Sequence, residues 1–143
     1  MTQTSAQFFD GLLPHLRAAQ FKPNAPGTDT GMNVYSYQKG RRNAVVTVNH
    51  VPGENYVSVK LTVNRGTSGP ATPVFDRIHA KFKLDEDKLR STDGVYWTWA
   101  PSAKESKVQA RRPIGAARPA FLYKWVVDNA RVLRSWAEWS KSV

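Results

Sequence analysis

The sequence predicts an α+β fold: a single antiparallel sheet of about five strands with helices packed on one face, in the order α-β-β-β-α-β-β-α. Three observations carry this. Alternating β-branched runs stand close together and are joined by short turns, as in YVSVKLTVN over residues 56–64. Segments with apolar residues at helical spacing open and close the chain. The strands come in groups of three and two, segregated from the helices, which argues for an α+β fold.

The first helix is expected over SAQFFDGLLPHLRAAQF. Phe8, Phe9, Leu12, Leu13 and Leu16 recur at its spacing, Thr4 or Ser5 can cap it, and Pro14 predicts a kink or a restart. A loop rich in Pro, Gly and Asn follows at residues 22–31. Three strands come next, GMNVYSYQ (31–38), NAVVTVNHV (43–51) and YVSVKLTVN (56–64), separated by the turns KGRRN and PGEN. In the third, Val57, Val59, Leu61 and Val63 face one way. Tyr56, Ser58, Lys60, Thr62 and Asn64 face the other, so one side of the sheet is expected to be wet.

A second flexible loop spans 65–72, and a helix is expected from Pro73 to Leu89, with Phe75, Ile78, Phe82 and Leu89 inward. VYWTWAP (95–101) and ESKVQARRP (105–113) read as a hairpin. Its second strand sends Lys107, Gln109 and Arg111 to one face and Val108 and Ala110 to the other. The last helix begins near Arg118 and Pro119. Leu122, Trp125, Val126, Asn129, Leu133 and Trp136 form its inner stripe, and Lys124–Asp128 and Arg134–Glu138 are spaced as i,i+4 ion pairs.

With 143 residues, 41% of them hydrophobic and sixteen aromatic, residues 1–143 suit one domain. The opening residues lack the pattern of an export signal, and no apolar run reaches the roughly 18–20 residues of a membrane span. There is no cysteine, so no disulfide framework, and a cytoplasmic home fits.

The formal net charge is +10, from 21 Lys and Arg against 11 Asp and Glu. Such a surface attracts polyanions: nucleic acid, anionic membrane or an acidic protein. Residues 101–120 concentrate it, with Lys104, Lys107, Arg111, Arg112 and Arg118 against Glu105 alone. The planar fork of arginine suits phosphate oxygens, and a helix N-terminus behind Arg118 also favours anions. Lys39, Arg41 and Arg42 make a second basic turn, and Lys60 adds a cation on the wet face. If these converge, with Tyr35 and Tyr37 as stacking surface, they form a groove for low-specificity phosphate binding. Trp136 and Trp139 are the candidates for an aromatic patch, through which the chain would dock on a partner or on a second copy as a homo-oligomer.

The stretches FDRIHAKFKLDEDKL, GVYWTWAPSAKESKVQARRPIG and KWVVDNARVLRSWAEW resemble an uncharacterised prokaryotic domain family, domain of unknown function four-two-six-eight. Its members often sit behind nuclease-like domains in restriction or repair proteins. The resemblance implies a tryptophan on a strand (Trp97 or Trp99), helix aromatics at Trp125, Trp136 and Trp139, and an accessory module of bacterial or phage type. It transfers no functional residue.

Catalytic and metal signatures are absent from the sequence, so neither a cofactor nor a metal is expected. His15, His50 and His79 show no ligand spacing, GxSxG does not occur, and RGTSGP lacks the GK[ST] of a phosphate loop. Asp76 with Glu86 and Lys88 has the letters of a metal-dependent nuclease but falls on the expected helix. Strand residues 58–60 carry Ser58 where a carboxylate is needed. The expectation is a small non-enzymatic binding protein, either gripping nucleic acid or acting as a protein-interaction module.

Overall fold

The computed structural model describes residues 3–23, 30–64, 96–101 and 105–141, with 96–101 and 105–106 as backbone only. The helix expected over 73–89, the 65–72 loop and the Asp76, Glu86 and Lys88 set lie outside the described residues. So do His79 and Lys104, most of the 22–31 loop, and the side chains of Trp97 and Trp99.

Helix α1 spans Ser5–Ala18. Thr4 caps it through a capping box: its hydroxyl accepts from Gln7 N, and the Gln7 side chain accepts from Thr4 N. The helix runs through Pro14 without a restart, and Pro14 is exposed.

Strands β1 (Gly31–Lys39), β2 (Arg42–Val51), β3 (Tyr56–Asn64), β4 (Tyr96–Pro101) and β5 (Glu105–Pro113) follow, then helix α2, Pro119–Lys141. The strands form one antiparallel five-stranded sheet in the order β1-β2-β3-β5-β4. The β1–β2 turn is two residues long, with Gly40 at φ +62°, the arrangement a glycine-led hairpin needs. A 3-10 turn, Pro52–Glu54, joins β2 to β3. It ends on Asn55 in the left-handed region (φ 56°), which Asn tolerates because its short polar side chain bonds locally.

Both helices cover the same face of the sheet. The buried alternation on that face comprises Ala44, Val46, Val48 and His50 of β2, Val57, Val59, Leu61 and Val63 of β3, and Val108 and Ala110 of β5. Against it pack Phe8, Phe9, Leu12 and Leu16 of α1 and Leu122, Val126, Ala130, Leu133, Trp136 and Ala137 of α2.

The two helices approach closely at Gly11, where an added Cβ would lie 2.1 Å from the Tyr123 hydroxyl oxygen. No larger residue fits that contact without a shift. The α2 stripe is also rotated from the expected one. Tyr123 and Val127 are buried and Trp125 is only partly so, while Asn129 turns its amide back to the Trp125 carbonyl (2.8 Å).

A β-bulge between Asn33 and Tyr35 shifts the β1 register. Beyond it both tyrosines turn to α2: Tyr35 donates to the Glu138 carboxylate, and the Tyr37 hydroxyl lies 2.9 Å from Ser140 Oγ. They add no stacking surface to the wet face. Burial raises the Tyr35 phenol pKa, and the bonded Glu138 carboxylate raises it further.

Candidate nucleic-acid interface

The strand registers fix where each candidate cation lies. Val57 pairs with both His50 and Arg112, so Arg112 is level with His50 across the sheet. Arg42 is eight residues back along β2, about 26 Å away at the usual rise of a strand. Arg111 and Arg112 therefore sit toward the end of the sheet opposite Arg42, whereas Lys107 pairs with Thr62, level with Val45 and three residues from Arg42. The single groove expected from Arg41 and Arg42 together with Arg111, Arg112 and Arg118 does not form.

At the hairpin end the cations face helix α2 instead. Arg42 Nη1 donates to the Ser140 carbonyl (3.1 Å) and Lys39 Nζ to the Lys141 carbonyl (2.9 Å), while Lys141 Nζ lies 5.8 Å from the centre of the Tyr37 ring. The last carbonyls of a helix lack intrahelical donors and carry partial negative charge, so cations satisfy them on both counts. Arg134 does the same for α1: its Nη1 bonds the Ala19 (3.2 Å) and Gln20 (3.3 Å) carbonyls, and its guanidinium covers Phe21 at 3.9 Å. It thus bridges the helices, and Lys124–Asp128 forms an ion pair on α2 at 2.6 Å. Arg41 remains exposed in the turn.

The sheet face away from the helices is built in polar rows. One row runs Asn33, Thr47, Lys60, Gln109, with Thr47 Oγ1 bonding Asn33 Oδ1 at 3.0 Å. Beside it runs Asn49, Ser58, Arg111, and on the other side Val45, Thr62, Lys107. The acidic position of β5, Glu105, pairs with Asn64 at the start of the strand, in register with this face. Lys107 and Arg111 are four residues apart on β5, about 13 Å, with Lys60 paired to the residue midway between them. The Arg111 guanidinium carbon lies 3.6 Å from the centre of the Tyr56 ring, a cation–π contact that orients the side chain. The face is not uniformly wet: Ser58 is 2% exposed, and Lys60, Gln109 and Arg111 are half-buried.

Arg112 belongs to the opposite face, where its guanidinium lies 4.6 Å from the centre of the Phe121 ring. Arg118 is exposed immediately before α2. The loop between is pinned by Asn55, whose carbonyl accepts from Ile114 N (3.1 Å) and whose Oδ1 accepts from Gly115 N (2.9 Å).

The aromatic-patch expectation fails at Trp136, which is 6% exposed and packed in the core; Trp139 is partly buried against that core. The inward period of α2 that buries Leu133 buries Trp136 as well. Among the described residues the large apolar side chains most open to solvent are Phe121 (52%) and Val132 (40%).

One residue of interest lay outside the sequence-based candidates. His50 is 1% exposed on the core side, stacked on Phe8 at 4.2 Å with its ring planes 11° apart. The parity of Ala44, Val46, Val48, His50 is the signal that could have placed it there. Burial lowers its pKa, which favours the neutral ring.

Among the described residues no group of three His, Asp or Glu is arranged to hold a metal, and no helix is long and apolar enough to cross a membrane. No protein-family model, no curated protein and no solved structure matches the chain.

Proposed function

We propose that this chain is a small cytosolic binding protein that holds nucleic-acid phosphates with low sequence specificity, through the polar sheet face bearing Lys60, Lys107 and Arg111. The observation that carries the reading is that Lys60, Lys107 and Arg111 share one face within the β3–β5 pairing, with Glu105, opposite Asn64 at the start of β5, the acidic position in register with them. Amide and hydroxyl side chains fill the rows between them, and these donate to phosphate and sugar oxygens without reading a base. Tyr56, stacked under Arg111, offers a ring beside the cation. Arg118 and Arg112 extend the positive field past the end of β5. Arg42 and Lys39 are assigned to the helix they cap.

Anisotropy of labelled single- and double-stranded DNA and RNA across a salt series tests this. Affinity should fall linearly on a log–log plot, with little dependence on sequence. Lack of binding even near 50 mM salt would remove the reading. Accessory roles of the kind implied by the resemblance to the uncharacterised domain family are compatible with such a module, which itself needs no catalytic residue.

A further inference from the structure

A cavity of about 280 Å³ opens at the N-terminus of α2, lined by Gln3, His50, Ile114, Ala117, Pro119 and Leu122, among others. Its hydrogen-bonding character follows from His50. The Ser5 hydroxyl has one hydrogen, and it goes to the His50 carbonyl at 2.7 Å. Ser5 Oγ is also 3.1 Å from His50 Nδ1, so at that contact the ring nitrogen is the donor. The neutral ring therefore carries its proton on Nδ1, and Nε2 is a bare acceptor. Nε2 has no protein partner among the described residues, although the residue is 1% exposed. A buried acceptor of this kind calls for a donor, and the cavity that His50 lines is where one can sit.

The other wall supplies the opposite chemistry. Pro119 has no N–H, and the first intrahelical bond is Leu122 N to the Arg118 carbonyl (3.1 Å), which leaves the Ala120 and Phe121 N–H groups without an acceptor among the described residues. No acidic side chain stands in the first turn of α2, and Arg118 cannot act as a side-chain cap, so the first turn of this 23-residue helix does nothing to offset its own positive end. Arg112 and Arg118 flank it.

A ligand that suits both walls is an anion that also carries an O–H donor. A phosphomonoester is one, because its second pKa is near 6 and a share of it keeps a P–OH near neutrality. A phosphodiester and sulfate have no such proton. The space exceeds one phosphoryl group and leaves room for several waters at roughly 30 Å³ each.

We propose that this cavity binds a protonated phosphomonoester, His50 Nε2 accepting its P–OH and the start of α2 holding its oxygens. Resting on the phosphate-binding reading above, its source is the phosphorylated end of a nucleic-acid strand.

The test uses the whole chain near pH 6.5 at low salt. Methyl phosphate should raise the melting temperature, whereas dimethyl phosphate and sulfate at equal ionic strength should not. Ala117→Asp places a carboxylate at the cavity rim, where it suits the helix end, and should keep the fold while abolishing the response. An oligonucleotide with a terminal phosphate should bind about tenfold more tightly than the same strand ending in hydroxyl, the ratio for one good charge-assisted hydrogen bond, and Ala117→Asp should erase the difference.

Equal stabilisation by sulfate or dimethyl phosphate, or an undiminished response in Ala117→Asp, would overturn the cavity assignment. If methyl phosphate is selective but both oligonucleotides bind alike, the nucleic-acid end is refuted as the source. If oligonucleotides bind but methyl phosphate has no effect, the cavity assignment fails and the sheet-face reading stands. If methyl phosphate is selective and no oligonucleotide binds, the reverse holds.

Discussion

The two ends of α2 are furnished with the same residue types and use them differently. At the C-terminal end Lys39 and Arg42 of the β1–β2 hairpin donate to the Lys141 and Ser140 carbonyls, above a core closed by Trp136. At the N-terminal end Arg112 lies on the half-exposed ring of Phe121, Arg118 is exposed, and neither an acid nor a capping side chain meets the first turn. A cation near helix carbonyls is part of the fold, while a cation near helix N–H groups adds to a positive field that favours an anion. Counting charges along the chain treats Arg42 and Arg118 as equivalent; the polarity of the helix separates them.

The comparison breaks most visibly in the core. Trp136→Ala should cost about 3–5 kcal/mol, the usual penalty for emptying a buried aromatic site, whereas Phe121→Ala, at a ring 52% exposed, should cost about 0.5 kcal/mol. Urea unfolding of the two variants, read by far-UV circular dichroism, checks both. Similar losses would mean that the two ends of the helix are equally integral to the fold.

Between the ends, α1 leans on α2 through the one position that has no side chain. Gly11→Ala sets a methyl group 2.1 Å from the Tyr123 hydroxyl and 2.6 Å from its Cζ. Tyr123 cannot swing freely, being stacked on His15 (5.2 Å) and held by Gln3 Nε2 (3.0 Å). Overpacking of this kind costs about 1–3 kcal/mol. Removing the hydroxyl as well, in Gly11→Ala with Tyr123→Phe, should recover part of it, as a double-mutant cycle on melting curves would show.

Arg42→Ala sharpens the comparison at the capped end. The Ser140 carbonyl loses its donor, and about 1 kcal/mol of stability goes with it. Oligonucleotide affinity and its salt slope should stay as in the parent. A fall in the slope would return Arg42 to the binding surface.

Much of this architecture was legible in the sequence, because a period-two alternation states its own face. YVSVKLTVN and the inward Val108 and Ala110 lie as the pattern dictates, and FFDGLLPHL forms its helix through Pro14. The misreadings have local causes. A one-residue bulge at Asn33–Tyr35 turned Tyr35 and Tyr37 toward α2, and nothing in GMNVYSYQ announces it. The basic groove failed because antiparallel pairing sends residues 42 and 112 to opposite ends, which depends on strand order and not on composition. Asn129 falls on the apolar period of α2 yet satisfies its amide on the helix backbone, so the buried stripe settled one position over, on Tyr123 and Val127.

The smallest effect on stability should accompany the largest on binding. Arg111→Ala removes a guanidinium stacked on Tyr56 in a half-buried setting, a loss of about 0.5–1 kcal/mol at most. Its cross-strand neighbour Ser58 and the paired backbone remain. If Arg111 meets a phosphate, the same change should lower the slope of log affinity against log salt by roughly 0.7–0.9. Lys60→Ala should do likewise, and the double variant should fall by the sum, since the two cations lie on different strands and oppose different residues. Arg41→Ala, on the exposed turn at the far end, provides the matched control. A slope reduced as much by Arg41→Ala as by Arg111→Ala would mean that the protein attracts polyanions by net charge alone, with no face set apart for them.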